Sequence, residues 1–276
     1  MSAENNCYTN SFARIYDDLM SSVPYELWYN YLRELLTYYK FTPSRVLDLA
    51  CGTGEMTFKF AGDYDKIIGI DKSREMLKKA RGKIEASETQ IEFKCADLRD
   101  FELEEKYDFA FCLFDSLNYI LNLQDLANVY ENVSRSLTEA GLFIFDMNTP
   151  ARLMSIEQGT TMFKGDGYTC FWEDVVNEEK KLWKVRLKIY FDGSDEYHKE
   201  VHRETAYKKK EVLKRLNRAG FQKVEVFRAY TFNSGDDDDN RLYYVCFKDK
   251  GVYQRASSLK KIKNKMKWKL MNFRCL

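Results

Sequence analysis

Asp48-Leu-Ala-Cys-Gly-Thr-Gly54 is the stretch on which the fold turns. It follows the apolar run Arg45–Ala50, which reads as a strand, and precedes Glu55–Gly62, which reads as a helix. Gly52 and Gly54 therefore fall in a strand-to-helix turn. Glycines there let the backbone turn sharply and approach a ligand with no Cβ in the way, and the helix N-terminus adds unpaired N–H donors. Asp71 closes the next apolar run, Lys66–Asp71, where a carboxylate can accept hydrogen bonds from both hydroxyls of a ribose. Loop and acid together imply a ribose-bearing cofactor. On these residues alone a dinucleotide fits nearly as well.

The alternation continues outward. A helix is expected over Ser73–Ala86, with Ser73 as N-cap and Glu75 in its first turn, then strands at Ile91–Cys95 and Tyr107–Phe114. A helix over Leu123–Leu137 ends at Gly141, and Leu142–Asp146 forms a fifth strand. Strands apolar on both faces and separated by helices form a parallel sheet covered on both sides, a doubly wound α/β fold. Residues 11–40 carry Leu19, Leu27, Tyr31, Leu32, Leu35, Leu36 and Tyr39 at helical spacing, with a break near Ser21 to Pro24. Between 159 and 207 the period falls to two. Three strands, Tyr168–Asn177, Leu182–Phe191 and Glu196–Tyr207, are expected to form an antiparallel meander. Lys208–Ala219 then reads as a helix closed by Gly220, with strands at Lys223–Tyr230 and Leu242–Phe247.

This divides the chain into a core, residues 1–150 and 206–250, an inserted β subdomain, 151–205, and a tail, 251–276. In the tail, Leu259, Ile262, Met266, Leu270 and Phe273 alternate with lysines as a basic amphipathic helix suited to weak contact with a membrane surface or partner.

Composition narrows the function. The 276 residues carry 44 Lys and Arg against 43 Asp and Glu, so no global attraction to nucleic acid is expected. No apolar run approaches the ~20 residues that span a bilayer. Met1–Asn10 is polar, and Cys51, Cys95, Cys112 and Cys246 read as buried thiols, which makes the cytoplasm the expected compartment. Asp236–Asp239 reads as a solvated turn, and no metal is expected.

A dinucleotide fingerprint needs a third glycine, and Thr57 stands in its place. The form Asp48-x-Ala50-x-Gly52-x-Gly54 instead resembles the cofactor loop of class I S-adenosylmethionine (SAM)-dependent methyltransferases, with Ala50 where that loop usually has Gly. Further segments resemble the small bacterial stand-alone members, the YqeM-like proteins, akin to sugar N-dimethyltransferases. They are Cys112-Leu-Phe-Asp-Ser-Leu-Asn-Tyr119, Phe145-Asp-Met-Asn-Thr-Pro150, His202-Arg-x-x-Ala-Tyr207 and Phe12-Ala-Arg-Ile-Tyr-Asp-Asp-Leu19. The resemblance covers roughly residues 8–248. It implies a Rossmann-like seven-stranded, mostly parallel sheet of order 3-2-1-4-5-7-6, with an N-terminal helical lid. It also implies that Asp97 meets the adenine amino group and that Tyr8, Tyr16, Trp28, Leu98 and Leu113 pack about the cofactor. Asp48, Ala50, Cys51, Lys72 and Met76 complete the expected contacts.

Methyl transfer from a sulfonium is an in-line displacement, so the protein chiefly aligns the acceptor, a contribution of roughly 7–11 kcal/mol in well-oriented systems. Asp115, Asn118 and Tyr119 follow the fourth strand and are acceptor-side candidates. Asp115 could hold a cationic amine, accept a proton or simply cap a helix. His202, rather than His198, lies in a shared segment, and Phe171, Trp172 and Tyr207 could form an aromatic wall. With only Pro24, Pro43 and Pro150 present, no Asn-Pro-Pro-Tyr motif exists, which favours a small-molecule N or O acceptor. The competing expectations are a non-catalytic SAM-binding protein and, less favoured, an NAD-dependent oxidoreductase. Monomer and homodimer stay open.

Overall fold

A computed structural model describes residues 7–84 and 90–249. Its elements run α1 (Asn10–Leu19), α2 (Tyr25–Tyr38), β1 (Arg45–Leu49), α3 (Glu55–Ala61), β2 (Lys66–Asp71), α4 (Arg74–Gly82), β3 (Gln90–Cys95) and β4 (Tyr107–Cys112). There follow α5 (Leu123–Ser136), β5 (Leu137–Asn148), α6 (Pro150–Met154), β6 (Gly159–Gly165), β7 (Tyr168–Asn177), β8 (Leu182–Phe191) and β9 (Tyr197–Thr205). The chain closes with α7 (Lys209–Arg218), β10 (Lys223–Arg228) and β11 (Arg241–Phe247).

Seven strands form one sheet in the order β10-β11-β5-β4-β1-β2-β3, and only β11 runs antiparallel to its neighbours. Counted along this sheet alone, that is the expected order 3-2-1-4-5-7-6. One face carries α5 and α7, whose Leu126, Val129, Val133, Val212 and Leu216 pack with Phe143 and Phe145. The other carries α2 and α3, with Leu32, Leu35 and Phe60 against Val46, Phe111 and Val245. Because strands apolar on both faces must be covered twice, α2 serves as a layer of the core. Ser73 caps α4, its Oγ accepting from the Met76 N–H at 3.2 Å.

The antiparallel sheet has four strands, β6-β7-β8-β9, and not three. Gly159–Gly165 reads polar and exposed, so as an edge strand it carries no alternating apolar signal. The inner face of this sheet presents Tyr168, Cys170, Trp172, Trp183 and Val185 to Phe12, Ile15 and Tyr16 of α1, which also packs on α4 through Met76. Tyr168 Oη donates to Asp18 Oδ2 at 2.6 Å.

Other boundaries moved. The 11–40 helical stretch did not move: it is two helices, α1 and α2, parted at the expected break near Ser21 to Pro24. The helix expected to reach Ala86 is described only to Gly82, and residues 85–89 lie outside the described ones, as does the 251–276 tail. β4 stops at Cys112 because Phe114 and Asp115 adopt positive φ values of 62° and 47° and turn the chain out of the strand. β5 begins directly at Leu137, where the chain pairs with Tyr107, and runs to Asn148 against β11. Cys112 and Cys246 are buried as expected, but Cys95 is exposed and Cys51 half-buried. The Asp236–Asp239 turn is tied down: Asp237 Oδ1 accepts from the Lys209 N–H at 2.6 Å, and Asp239 pairs with Arg228 at 2.7 Å. No helix among the described residues is long and apolar enough to cross a membrane.

Candidate active site

Doubly wound sheets bind ligands in the crevice outside the carboxyl ends of their parallel strands. A cavity of about 350 Å³ opens there. Its floor is the 48–54 loop. The Gly52 N–H donates to Asp71 Oδ2 at 2.8 Å, and the Ser73 N–H donates to Asp71 Oδ1 at the same distance. Each Asp71 oxygen keeps lone-pair capacity for another donor. Burial raises its carboxyl above the ordinary range, against the pull of these backbone N–H groups and Lys72.

Thr57, the residue that breaks the dinucleotide fingerprint, has its own role. Its Oγ1 donates to buried Asp48 Oδ2 at 2.5 Å, and burial still lifts Asp48 to about 7. Gly54 caps α3 at φ 83°, and a Cβ there would come within 3.0 Å of Phe58 and Phe93. Ala50 also sits at a left-handed φ, 58°. Gly69, in the middle of β2, went unnoticed in the sequence. A Cβ on it would lie 2.7 Å from Phe93 and 2.8 Å from Cys51 Sγ, so it lets the loop sit against the sheet.

Thirteen of the expected residues line the cavity: Tyr8, Tyr16, Trp28, Asp48, Ala50, Cys51, Gly52, Asp71, Lys72, Met76, Asp97, Leu98 and Leu113. Gly54 does not; it shapes the turn from behind. Asp97 carries a bidentate pair from Arg99, Nε to Oδ1 at 2.9 Å and Nη2 to Oδ2 at 2.7 Å, which lowers its carboxyl below the usual range. The N-terminal segment is fastened over the cavity, with the Tyr8 carbonyl accepting from Ser73 Oγ at 2.8 Å. Thr53 Oγ1 reaches back to Asp17 of α1 at 2.6 Å.

The three catalytic candidates separate. Tyr119 lines the main cavity, and its hydroxyl lies 3.1 Å from His202 Nδ1. His202 and Asp115 line a neighbouring cavity of about 40 Å³ that shares Tyr8, Tyr16, Phe114 and Tyr119 with the first. Asp115 stands at the N-cap of the short 3-10 helix Ser116–Tyr119, as one expectation had it, but its side chain makes no capping bond. Both of its oxygens are engaged, Oδ1 by Arg241 at 2.9 Å and Oδ2 by Asn148 Nδ2 at 2.7 Å. Asn118 is a clamp: its Nδ2 donates to the Asn148 and Thr205 carbonyls, joining the two sheets. One of the three residues of the expected aromatic wall reaches a cavity. Trp172 lines the smaller cavity, whereas Phe171 packs on Tyr190 and Tyr207 hydrogen-bonds the Ile120 carbonyl. His198 is exposed beside Phe191.

Arg241, Glu200 and Glu204 were not foreseen. The alternation Glu200-x-His202-x-Glu204 on one strand was the available signal, since residues two apart share a face. Arg241 had none, because its partners come from distant segments.

Comparison with known proteins decides the family. Residues 46–141 match a methyltransferase domain. A provisionally assigned methyltransferase of Geobacillus is 29% identical over 243 residues, covering 86% of this chain and 98% of that one. The similarly assigned YqeM of Bacillus subtilis is 27% identical over 245 residues, covering 87% and 97%. The solved structure of a S-adenosylmethionine-dependent methyltransferase from Clostridium acetobutylicum superposes with a TM-score of 0.73 at 28% identity, covering 88% and 99%. The protein is a SAM-dependent methyltransferase. A sugar-nucleotide N,N-dimethyltransferase of Saccharopolyspora spinosa also matches this methyltransferase, 31% identical over 101 residues, 37% of this chain and 39% of that one. The cofactor of the present protein is SAM.

Proposed function

We propose that this methyltransferase moves the methyl group of SAM to a nitrogen or oxygen of a small molecule held between the glycine loop and the antiparallel sheet. The observation that carries this reading is the Asp71–Gly52 hydrogen bond of 2.8 Å on the floor of the cavity. It supports a ribose-accepting carboxylate beside Gly52, whose φ of 55° favours a residue without a side chain. The donor set fits the cofactor: Asp71 for the ribose, Asp97 for the adenine amino group, and Met76, Leu98 and Leu113 as apolar walls.

When bound, SAM supplies an activated methyl group, so the chain needs to align the acceptor, exclude water and manage one proton. Tyr8, Tyr16 and Trp28 cover the cavity from the N-terminal side. Tyr119 faces the cavity and is the group placed to hydrogen-bond the acceptor atom. His202 acts through it as a positioning residue, fixing its hydroxyl from behind at 3.1 Å. The antiparallel sheet, within residues 151–205, roofs the acceptor end. A small-molecule acceptor is supported by the Saccharopolyspora relative, which methylates a sugar nucleotide. The cytoplasm, where SAM is made and consumed, is the proposed compartment.

Calorimetry with SAM tests the cofactor site. The purified protein is expected to bind it, and Asp71→Ala and Gly52→Val are expected to lose binding; unchanged binding by both variants would overturn the assignment. Incubation with methyl-labelled SAM and pools of cell metabolites, read by mass spectrometry, then identifies the acceptor. Absence of any labelled product would instead favour a SAM-binding protein without catalysis.

A further inference from the structure

The smaller cavity has an unusual lining for its size. Tyr8, Phe12, Tyr16, Trp172 and Trp183 wall it, and Asp115, Glu204 and His202 form its base. The two indoles are fixed in place, both Nε1–H groups donating to Asp174 Oδ1, at 3.1 and 2.9 Å. Their faces and those of the tyrosines are electron-rich, and a cation is the ligand that such faces attract.

The charges below them do not balance. Asp115, Asp146 and Glu204 converge on one guanidinium, that of Arg241, which pairs with Asp115 and Asp146. Burial works against the charge of Arg241, yet Asp115 and Asp146 raise its basicity well above the ordinary value. Three buried carboxyl groups face one buried guanidinium, and each that ionises without a cation of its own is costly. Glu204 is 5% exposed, and its Oε2 has no hydrogen-bond partner although it is enclosed in protein. A buried carboxylate oxygen normally has one. Burial first, and then the neighbouring Asp115, push the Glu204 carboxyl well above the carboxylate range.

We propose that the smaller cavity is a subsite for the amino group of the acceptor, bound as a cation among the aromatic rings with Glu204 as its charge partner and proton acceptor. The acceptor is then an amine, and this rests on the SAM-dependent reading given above. The volume, about 40 Å³, is enough for an ammonium head group, with the body of the acceptor in the larger cavity beyond the shared wall of Tyr8, Tyr16, Phe114 and Tyr119. The proton balance is simple. The ammonium gives one proton to the Glu204 carboxylate and becomes a neutral amine. Its lone pair forms the new N–C bond as the S–C bond of SAM breaks, and that electron pair stays on sulfur. The product leaves as a methylated ammonium. Asp115, with both oxygens engaged, sets the field of the subsite and does not take the proton.

Cyclohexylammonium and cyclohexanol, equal in shape and opposite in charge, serve as probes. The full-length protein is saturated with S-adenosylhomocysteine and titrated with each by calorimetry, with ligand-observed NMR as a check. The cation is expected to bind at least about tenfold more tightly, an energy difference well within that of a buried charge pair. Glu204→Gln is expected to abolish that preference and leave S-adenosylhomocysteine affinity unchanged. Equal binding of the two probes by the wild type, or a preference that survives in Glu204→Gln, would overturn the proposal. Failure of the wild type to bind S-adenosylhomocysteine would overturn the cofactor reading beneath it. Should Glu204→Gln not fold, Trp172→Leu strips one wall and leaves every charge in place. It must then weaken the cation more than the alcohol, and equal losses sink the subsite.

Discussion

At the scale of single residues, the cofactor loop carries its own strain. Ala50 holds φ 58°, a conformation that costs an L-residue with a Cβ roughly 1–2 kcal/mol. Ala50→Gly is therefore expected to raise stability by about 1 kcal/mol in urea denaturation without loss of SAM affinity; a destabilised variant would mean that the methyl group packs usefully. Asp48 offers a second test. Burial raises its folded-state carboxyl to about 7, with the Thr57 hydroxyl opposing and Asp71 adding. A carboxyl that is harder to ionise in the fold than in the unfolded chain supports the fold below about pH 4, and that support is lost as pH rises towards 7. The urea midpoint is accordingly expected to fall between pH 5 and pH 8, and Asp48→Asn, which still accepts from Thr57, should fall less steeply. Identical slopes would show that Asp48 is already ionised throughout.

At the scale of elements, α2 matters as a layer of the core more than as a cover. Leu32 and Leu35 are fully buried, and Tyr31 packs edge-on against Tyr243 of β11 at 4.8 Å. Leu35→Ala is expected to cost about 2–5 kcal/mol in chemical denaturation; a cost under about 1 kcal/mol would mean that α2 is only loosely seated on the sheet. The helical spacing of these leucines was plain in the sequence. That they cover the β4–β5–β11 side was not, since spacing shows which face of a helix is apolar and not what that face meets.

At the scale of the whole molecule, one guanidinium ties the parts together. Arg241 comes from β11, Asp115 from the turn after β4, and Asp146 from β5, while Glu204 reaches the cluster from the antiparallel sheet. Arg241→Met leaves three buried carboxylates with no cation, and is expected to destabilise the protein by about 3–5 kcal/mol at neutral pH. Because protonation relieves the repulsion, and Asp146 is already raised to about 6, the loss should shrink as pH falls from 7 to 5. A pH-independent loss would assign the effect to packing alone.

The sequence by itself determined the parallel sheet, its strand order through the family resemblance, and nearly all of the residues expected about the cofactor, thirteen of which line the main cavity. The reason is local: Gly52, Gly54 and Asp71 lie at strand ends, and alternating helix and strand periods decide which ends share an edge. Gly54 marks the limit of that logic, since it shapes the turn without facing the cavity. The proposed acceptor side rests on contacts that only the tertiary structure makes. Tyr119 and His202 meet across 83 positions of chain, and Arg241 reaches Asp115 across 126. β6 was hidden because an edge strand need not alternate, and Glu204 because its meaning depends on an unpaired oxygen in a cavity between two sheets. Local patterns are written in spacing along the chain, whereas a charge imbalance between distant segments exists only once they are folded together.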